Sequence, residues 1–297
     1  MVYALSLLPA LLMWEYAAVK VNFRLDPASR RRLFRVGMVV ALAALLLELP
    51  ITPLVAGLHL SPLGGIATKA TLVALIEEGV DYAGLILLAD RRQMAEIGPA
   101  AAIPLATGIA LGFAVLENVI YLIGAATHGT ELAVAVMRAF TAIPAHALNG
   151  MAMGAFYCLA WQSRRGIDDR ALIAALLVPV AMHAAYDFTA MSLALPAHPR
   201  WAAYGFPFML LCEGLLTAAL VALSQQGPAA IHGQVGTPDL AGGRAITMGL
   251  IFLVLGNVLI YLALRSSYPA QVTAIAAAPM VLGFDLGITG LRRRSEA

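Results

Sequence analysis

Charge is scarce in this chain. Of 297 residues only 12% are Asp, Glu, Lys or Arg, while 61% are hydrophobic, and mean hydropathy is +0.84. A soluble domain carries roughly twice that share of charge, so a water-exposed fold is excluded and the chain reads as an integral membrane protein. Cysteine is nearly absent. Cys158 and Cys212 show no metal or redox spacing, and both are expected to be small core hydrophobes. Net charge is only +2, and the basic residues cluster in loops where topology explains them, so nucleic acid is not an expected partner. The sequence also lacks an internal repeat of the kind that builds the inverted halves of secondary transporters.

Long apolar runs dominate instead. They cover approximately residues 2–19, 36–58, 66–89, 103–126, 133–160, 171–195, 202–224, 246–264 and 270–290. Each is near the length of roughly 17–25 residues that crosses a bilayer as a helix. The expected fold class is therefore all-α, a polytopic transmembrane bundle of about nine helices. Most connections are short, which predicts that successive helices are antiparallel neighbours. Lys20, Arg24, Arg30, Arg31, Arg32 and Arg35, then Arg91 and Arg92, Arg164, Arg165 and Arg170, Arg244, and Arg292 to Arg294 fall on one side of nine alternating helices. Basic loops stay in the cytoplasm. The N-terminus is thus expected outside and the C-terminus inside a cell membrane, and the Ala- and Arg-rich composition suggests a bacterial inner membrane. The first run has no positive leading segment, so it is expected to be a retained helix. Residues 225–245, rich in Gly and Pro, read as a flexible cytoplasmic linker between a body over 1–224 and a C-terminal hairpin with basic tail over 246–297.

Within the apolar runs sit a few ionisable residues, each near the middle of its run. An ionisable group at the bilayer midplane costs roughly 2.5–3.5 kcal/mol on insertion scales and marks a functional site by default. The third run carries Glu77, Glu78 and Asp81. Glu77 and Asp81 share a helix face, while Glu78 lies about 100° around. Three carboxylates in one turn cannot all ionise without a cation or a shared proton. The fourth run carries Phe113 and Glu117 four residues apart, with Asn118 alongside. The fifth carries His146 just after Pro144, and a proline there frees a backbone carbonyl in a packed or wet setting. In the sixth, His183 and Asp187 are one turn apart, so the carboxylate can accept the ring N–H or bind one ion with it. All these groups lie at a similar depth, so neighbouring helices can close them around one cavity.

The glutamate pair, Phe113-x-x-x-Glu117, the segment from Arg138 to His146, and His183-x-x-x-Asp187 together resemble the PrsW family of intramembrane proteases, itself related to the CAAX-processing membrane proteases. The resemblance covers residues 66–195. It implies an endopeptidase in which Glu77 and Glu78 activate water and Glu117, His146 and His183 complete the catalytic site. The same three residues would hold a divalent metal, expected to be zinc, and Asp187 would orient His183. The substrate would be a membrane-associated protein or peptide met within the membrane lipid. The family pattern usually places a basic residue after the glutamate pair. Here that position is Asp81, and Arg138, the nearest alternative cation, is expected to snorkel to the outer interface.

Two other classes remain compatible with the residues. A cation or proton transporter also uses Asp, Glu and His in the membrane, although a relay extends from face to face, and Asp81 leaves room for an inactive binder of membrane substrates. Glu48, before Pro50 and Pro53, is a candidate for a broken helix lining a water path, and Glu213 is a weaker site candidate. Glu15 and Asp285 read as interfacial, and His59, His128, His198 and His232 as solvated loop residues.

Overall fold

The structure, a computed structural model, describes residues 2–20, 26–89, 98–162, 167–193, 195 and 200–224. The expected linker and C-terminal hairpin, together with Arg91, Arg92, His198, His232 and Asp285, lie outside these residues. Those described form helices and turns, with no strand among them: α1 (Val2–Lys20), α2 (Pro27–Glu48), α3 (Ile51–Gly57), α4 (Pro62–Leu88), α5 (Ala102–Ala126), α6 (Glu131–Phe140), α7 (Ala142–Gln162), α8 (Asp169–Leu193) and α9 (Arg200–Ser224), with a short 3₁₀ turn at Pro99–Ala101.

Proline and short polar side chains set the boundaries. Asp26 caps α2 by accepting from the Ala28 and Ser29 amides, and Ser61 caps α4 through the Gly64 amide. Each is followed by a proline at the first helical position, where the missing N–H costs nothing. Two apolar runs are broken rods. Residues 36–58 divide at Leu49 and Pro50 into α2 and α3, and residues 133–160 divide at Thr141 into α6 and α7, three residues before Pro144. In both places a proline lacks the amide that the helical ladder needs.

Among the described residues four stretches are long and apolar enough to cross a membrane: Pro27–Gly57, Pro99–Ala126, Glu131–Gln162 and Asp169–Leu193. Helix α4 has the length, at 27 residues, but carries Lys69, Glu77, Glu78 and Asp81.

Helix order in space departs from the expectation of sequential neighbours. Helix α5 packs chiefly against α7 and α2, while α4 packs chiefly against α8 and α2 and touches α5 much less. Small residues explain the choice. A side chain at Gly150 or Gly154 of α7 would run into the α5 backbone around Ala102, Ile103, Ala106 and Thr107. One at Gly37 or Gly112 would close the α2–α5 crossing. Backbones that approach so closely gain van der Waals contact that lipid cannot match. Helices α4, α5, α7 and α8 consequently converge, and the midsection they enclose holds the polar residues.

Cys158 is buried, as expected, whereas Cys212 is exposed on α9, because its position falls on the outward face of that helix. His59 and His128 are exposed, as loop residues should be.

Candidate active site

Helix α4 brings Glu77, Glu78 and Asp81 to the centre, all buried. Two turns of α8 place His183 opposite them, and its ring is shared among three carboxylates. Nδ1 lies 2.8 Å from Glu78 Oε1, while Nε2 lies 3.7 Å from Glu77 Oε2 and 3.9 Å from Asp187 Oδ2. Glu78 therefore orients His183, with Asn149 of α7 donating to the same Glu78 oxygen at 2.9 Å. Asp187 was expected to hold this histidine. At 3.9 Å it lies beyond hydrogen-bond distance of the ring, and it lines the cavity.

On the facing side, His146 of α7 lies with Nε2 3.0 Å from Glu117 Oε2 of α5. The same oxygen accepts from the Arg138 guanidinium of α6, whose Nε donates to Asn118 Oδ1 at 2.6 Å. Arg138 also stacks 3.8 Å from the Tyr121 ring centroid. It is 8% exposed, so the expectation that it snorkels outward is corrected. The break at Thr141 lets α6 direct this side chain inward, where a carboxylate, an amide and a ring satisfy a cation that would otherwise be costly to bury.

The two rings meet edge to face with centroids 5.3 Å apart, and Phe113 packs against His146 at 5.4 Å. Glu77, His146 and His183 each offer a ligand atom, and these atoms lie within 4.8 Å of one another. Glu77 thus stands where the sequence reading had Glu117. The reason is Arg138, which neutralises Glu117 and ties it to the α5–α6 side. Glu77 Oε2 is buried without a hydrogen-bond partner among the described residues. A buried orphan oxygen costs about 1–3 kcal/mol, and a cation would satisfy it. Each histidine has one ring nitrogen held by a carboxylate, which fixes tautomer and ring direction as in metal sites. The donor set therefore fits a divalent ion.

A cavity of about 230 Å³ opens beside this group, lined by Glu77, Glu117, Asp187, Glu48, Thr52 and Lys69 among others. Glu48 and Thr52 flank the α2–α3 break, so the broken helix does line the site, as its prolines suggested. Asp81 and Glu213 are buried, and Asp81 Oδ1 and both Glu213 oxygens have no hydrogen-bond partner among the described residues. Two contributors escaped the sequence reading. Asn149 sits three residues after His146, a spacing that puts both on one face. Tyr121 sits four after Glu117 in the same way.

Comparison with known protein families gives a match to the PrsW family intramembrane metalloproteases over residues 31–223, about two thirds of the chain. The chain belongs to that family. The matched span includes every residue of the site just described. Curated relatives are similar to it as well. "Protease PrsW" of Bacillus subtilis (strain 168) is 39% identical over 102 residues, which is 34% of this chain and 42% of that protein. "Protease PrsW" of Geobacillus kaustophilus (strain HTA426) is 28% identical over 207 residues, 68% of this chain and 83% of that protein. The chain thus aligns with less than half of the Bacillus protein and with most of the Geobacillus one. No solved structure matches it.

Proposed function

We propose that this PrsW family member is an intramembrane endopeptidase that hydrolyses a peptide bond of a membrane-associated protein or peptide with a divalent metal, zinc, held by Glu77, His146 and His183. The convergence of those three buried side chains from three helices carries the reading. When bound, the ion supplies a Lewis acid that makes water ionisable near neutral pH.

The chain's own residues do the rest. Glu78 and Glu117 hold the two histidines by one ring nitrogen each, leaving the other for the ion. Asp187 lines the cavity within 4 Å of His183, and among the described residues no lysine or arginine forms an ion pair with it as Arg138 does with Glu117. It is the carboxylate placed to take the proton of the attacking water and return it to the leaving amine. Phe113 keeps His146 in place and excludes water from its far face. Substrate reaches the site past the α2–α3 break, where Glu48, Thr52 and Lys69 line the cavity.

In this reading the N-terminus lies outside and the C-terminus inside a bacterial inner membrane. The segment 225–245 links the body to a C-terminal hairpin. Clustering of the groups at one level, rather than in a file from face to face, favours hydrolysis over a proton or cation relay. The test is cleavage of a tagged membrane peptide by purified chain in liposomes. Cleavage that chelator stops and zinc restores supports the proposal. Undiminished cleavage after exhaustive chelation contradicts the metal, and absence of cleavage across a broad panel of membrane peptides contradicts the protease.

A further inference from the structure

A second concave site lies outside the catalytic centre, between α2 and α4. It is an open groove of about 720 Å³ lined by Ala28, Ser29, Arg32, Arg35, Val36, Val39, Val40, Gly84 and Leu87. Its chemistry changes along its length. Towards the start of α2 it is polar, with Ser29, Arg32 and Arg35 spaced three apart on one helix face. Further along it is aliphatic, with Val36, Val39 and Val40 on α2 and Leu87 on α4, and Gly84 contributes no side chain to its floor. Val39 and Leu87 are 64% and 79% exposed, which in a membrane-spanning helix means exposed to acyl chains.

Among the described residues neither the Arg32 nor the Arg35 guanidinium is paired with a carboxylate. Arg30, their neighbour, pairs with Glu15 at 3.8 Å and sits over the Trp14 ring. Arg35 donates from Nε to the Arg31 carbonyl at 3.3 Å, and among the described residues its terminal nitrogens have no partner. Basic residues that merely set topology need no groove, and an apolar groove that merely faces lipid needs no arginines. Both features coincide here, with a hydroxyl between them.

We propose that this groove is a binding site for one anionic phospholipid. Its phosphate lies against Arg32, Arg35 and Ser29, and an acyl chain lies along Val36, Val39, Val40 and Leu87. Arginine's planar fork suits phosphate oxygens, and the cytoplasmic leaflet, where a basic segment is retained, supplies anionic headgroups. The lipid would bridge α2 to α4 about two to three turns beyond Glu77 and Glu78. Bound there, it would brace the catalytic helix against α2. Only 17% of the apolar stretch of α2–α3 is buried, against 61% for α6–α7, so lipid forms more of its surroundings.

The experiment is native mass spectrometry of the full chain released from nanodiscs that contain phosphatidylglycerol and phosphatidylcholine. One phosphatidylglycerol retained per chain in preference to phosphatidylcholine is expected. The double variant Arg32→Gln/Arg35→Gln should lower that preference by about 25-fold, at roughly fivefold per basic residue near the surface. The groove-filling variant Val39→Trp/Leu87→Trp, which alters only exposed positions and keeps both charges, should lose it as well. No preference in the unaltered chain, or full preference in the Arg32→Gln/Arg35→Gln chain, overturns the site. Preference that survives the tryptophans reduces it to diffuse attraction by the basic segment and overturns it too. Equal competition by soluble glycerol phosphate would show that a free phosphate is the ligand and would overturn the lipid assignment.

Discussion

On the α5–α6–α7 side of the candidate site each charge has a counterpart, whereas on the α4–α8 side carboxylates outnumber cations. Glu117 meets Arg138 and His146, and Arg138 is closed off by Asn118 and Tyr121. Across the cavity Glu77, Glu78, Asp81 and Asp187 face one histidine, and Glu77 and Glu78 each keep an oxygen without a hydrogen-bond partner among the described residues. The first side is complete as protein. The second is complete only with a cation, or with protons on some of its carboxylates. That asymmetry is why the proposal gives the metal to Glu77 rather than Glu117, and it gives four ways to break the comparison.

The largest effect belongs to the incomplete side. Glu77→Gln and His183→Ala should each leave helical content unchanged yet lower cleavage by about 10²- to 10⁴-fold, measured by product formation in liposomes, with loss of bound metal. Next comes the complete side. Arg138→Gln strands Glu117 in the interior, and removing one partner of a buried ion pair costs about 3–5 kcal/mol. The variant should accumulate poorly and melt early in detergent, and Glu117→Gln added to it should restore folding without restoring activity.

A smaller and more selective effect is expected at Asp187. Asp187→Asn should lower the turnover rate by about 10²-fold with substrate affinity and metal content retained, because it removes a proton acceptor rather than a ligand. A loss of metal in that variant would return Asp187 to the ligand set. Smallest is Asp81→Asn. It replaces a buried acid, whose Oδ1 has no hydrogen-bond partner among the described residues, by a neutral isostere, and should change cleavage less than about threefold while raising thermal stability by about 1 kcal/mol. A large loss of activity would make Asp81 part of the chemistry.

Much of this was legible in the sequence, because a bilayer makes every intramembrane charge conspicuous. Glu77, Glu78, Glu117, His146 and His183 stood out against apolar runs and are all drawn to one centre. Glu48 announced itself by the prolines that follow it. What stayed hidden depends on which helices are neighbours. Sequential order pairs α4 with α5, but the glycines at 150 and 154 let α7 take that place against α5, and α4 turns to α8 instead. Glu78 thereby reaches His183, and Asp187 is freed for the cavity. Arg138 was misplaced for a related reason. Its position near the start of a long apolar run suggested an interface, and only the break at Thr141 reveals that the residue belongs to a separate short helix aimed inward.

Metal content of matched variants tests the central claim most directly. Purified unaltered chain, Glu77→Gln and Glu117→Gln would be loaded with zinc, desalted and analysed for metal per folded chain. About one zinc in the unaltered chain and in Glu117→Gln, with almost none in Glu77→Gln, is the predicted result. Zinc kept by Glu77→Gln and lost from Glu117→Gln would contradict the account and return the ligand role to the glutamate that Arg138 holds.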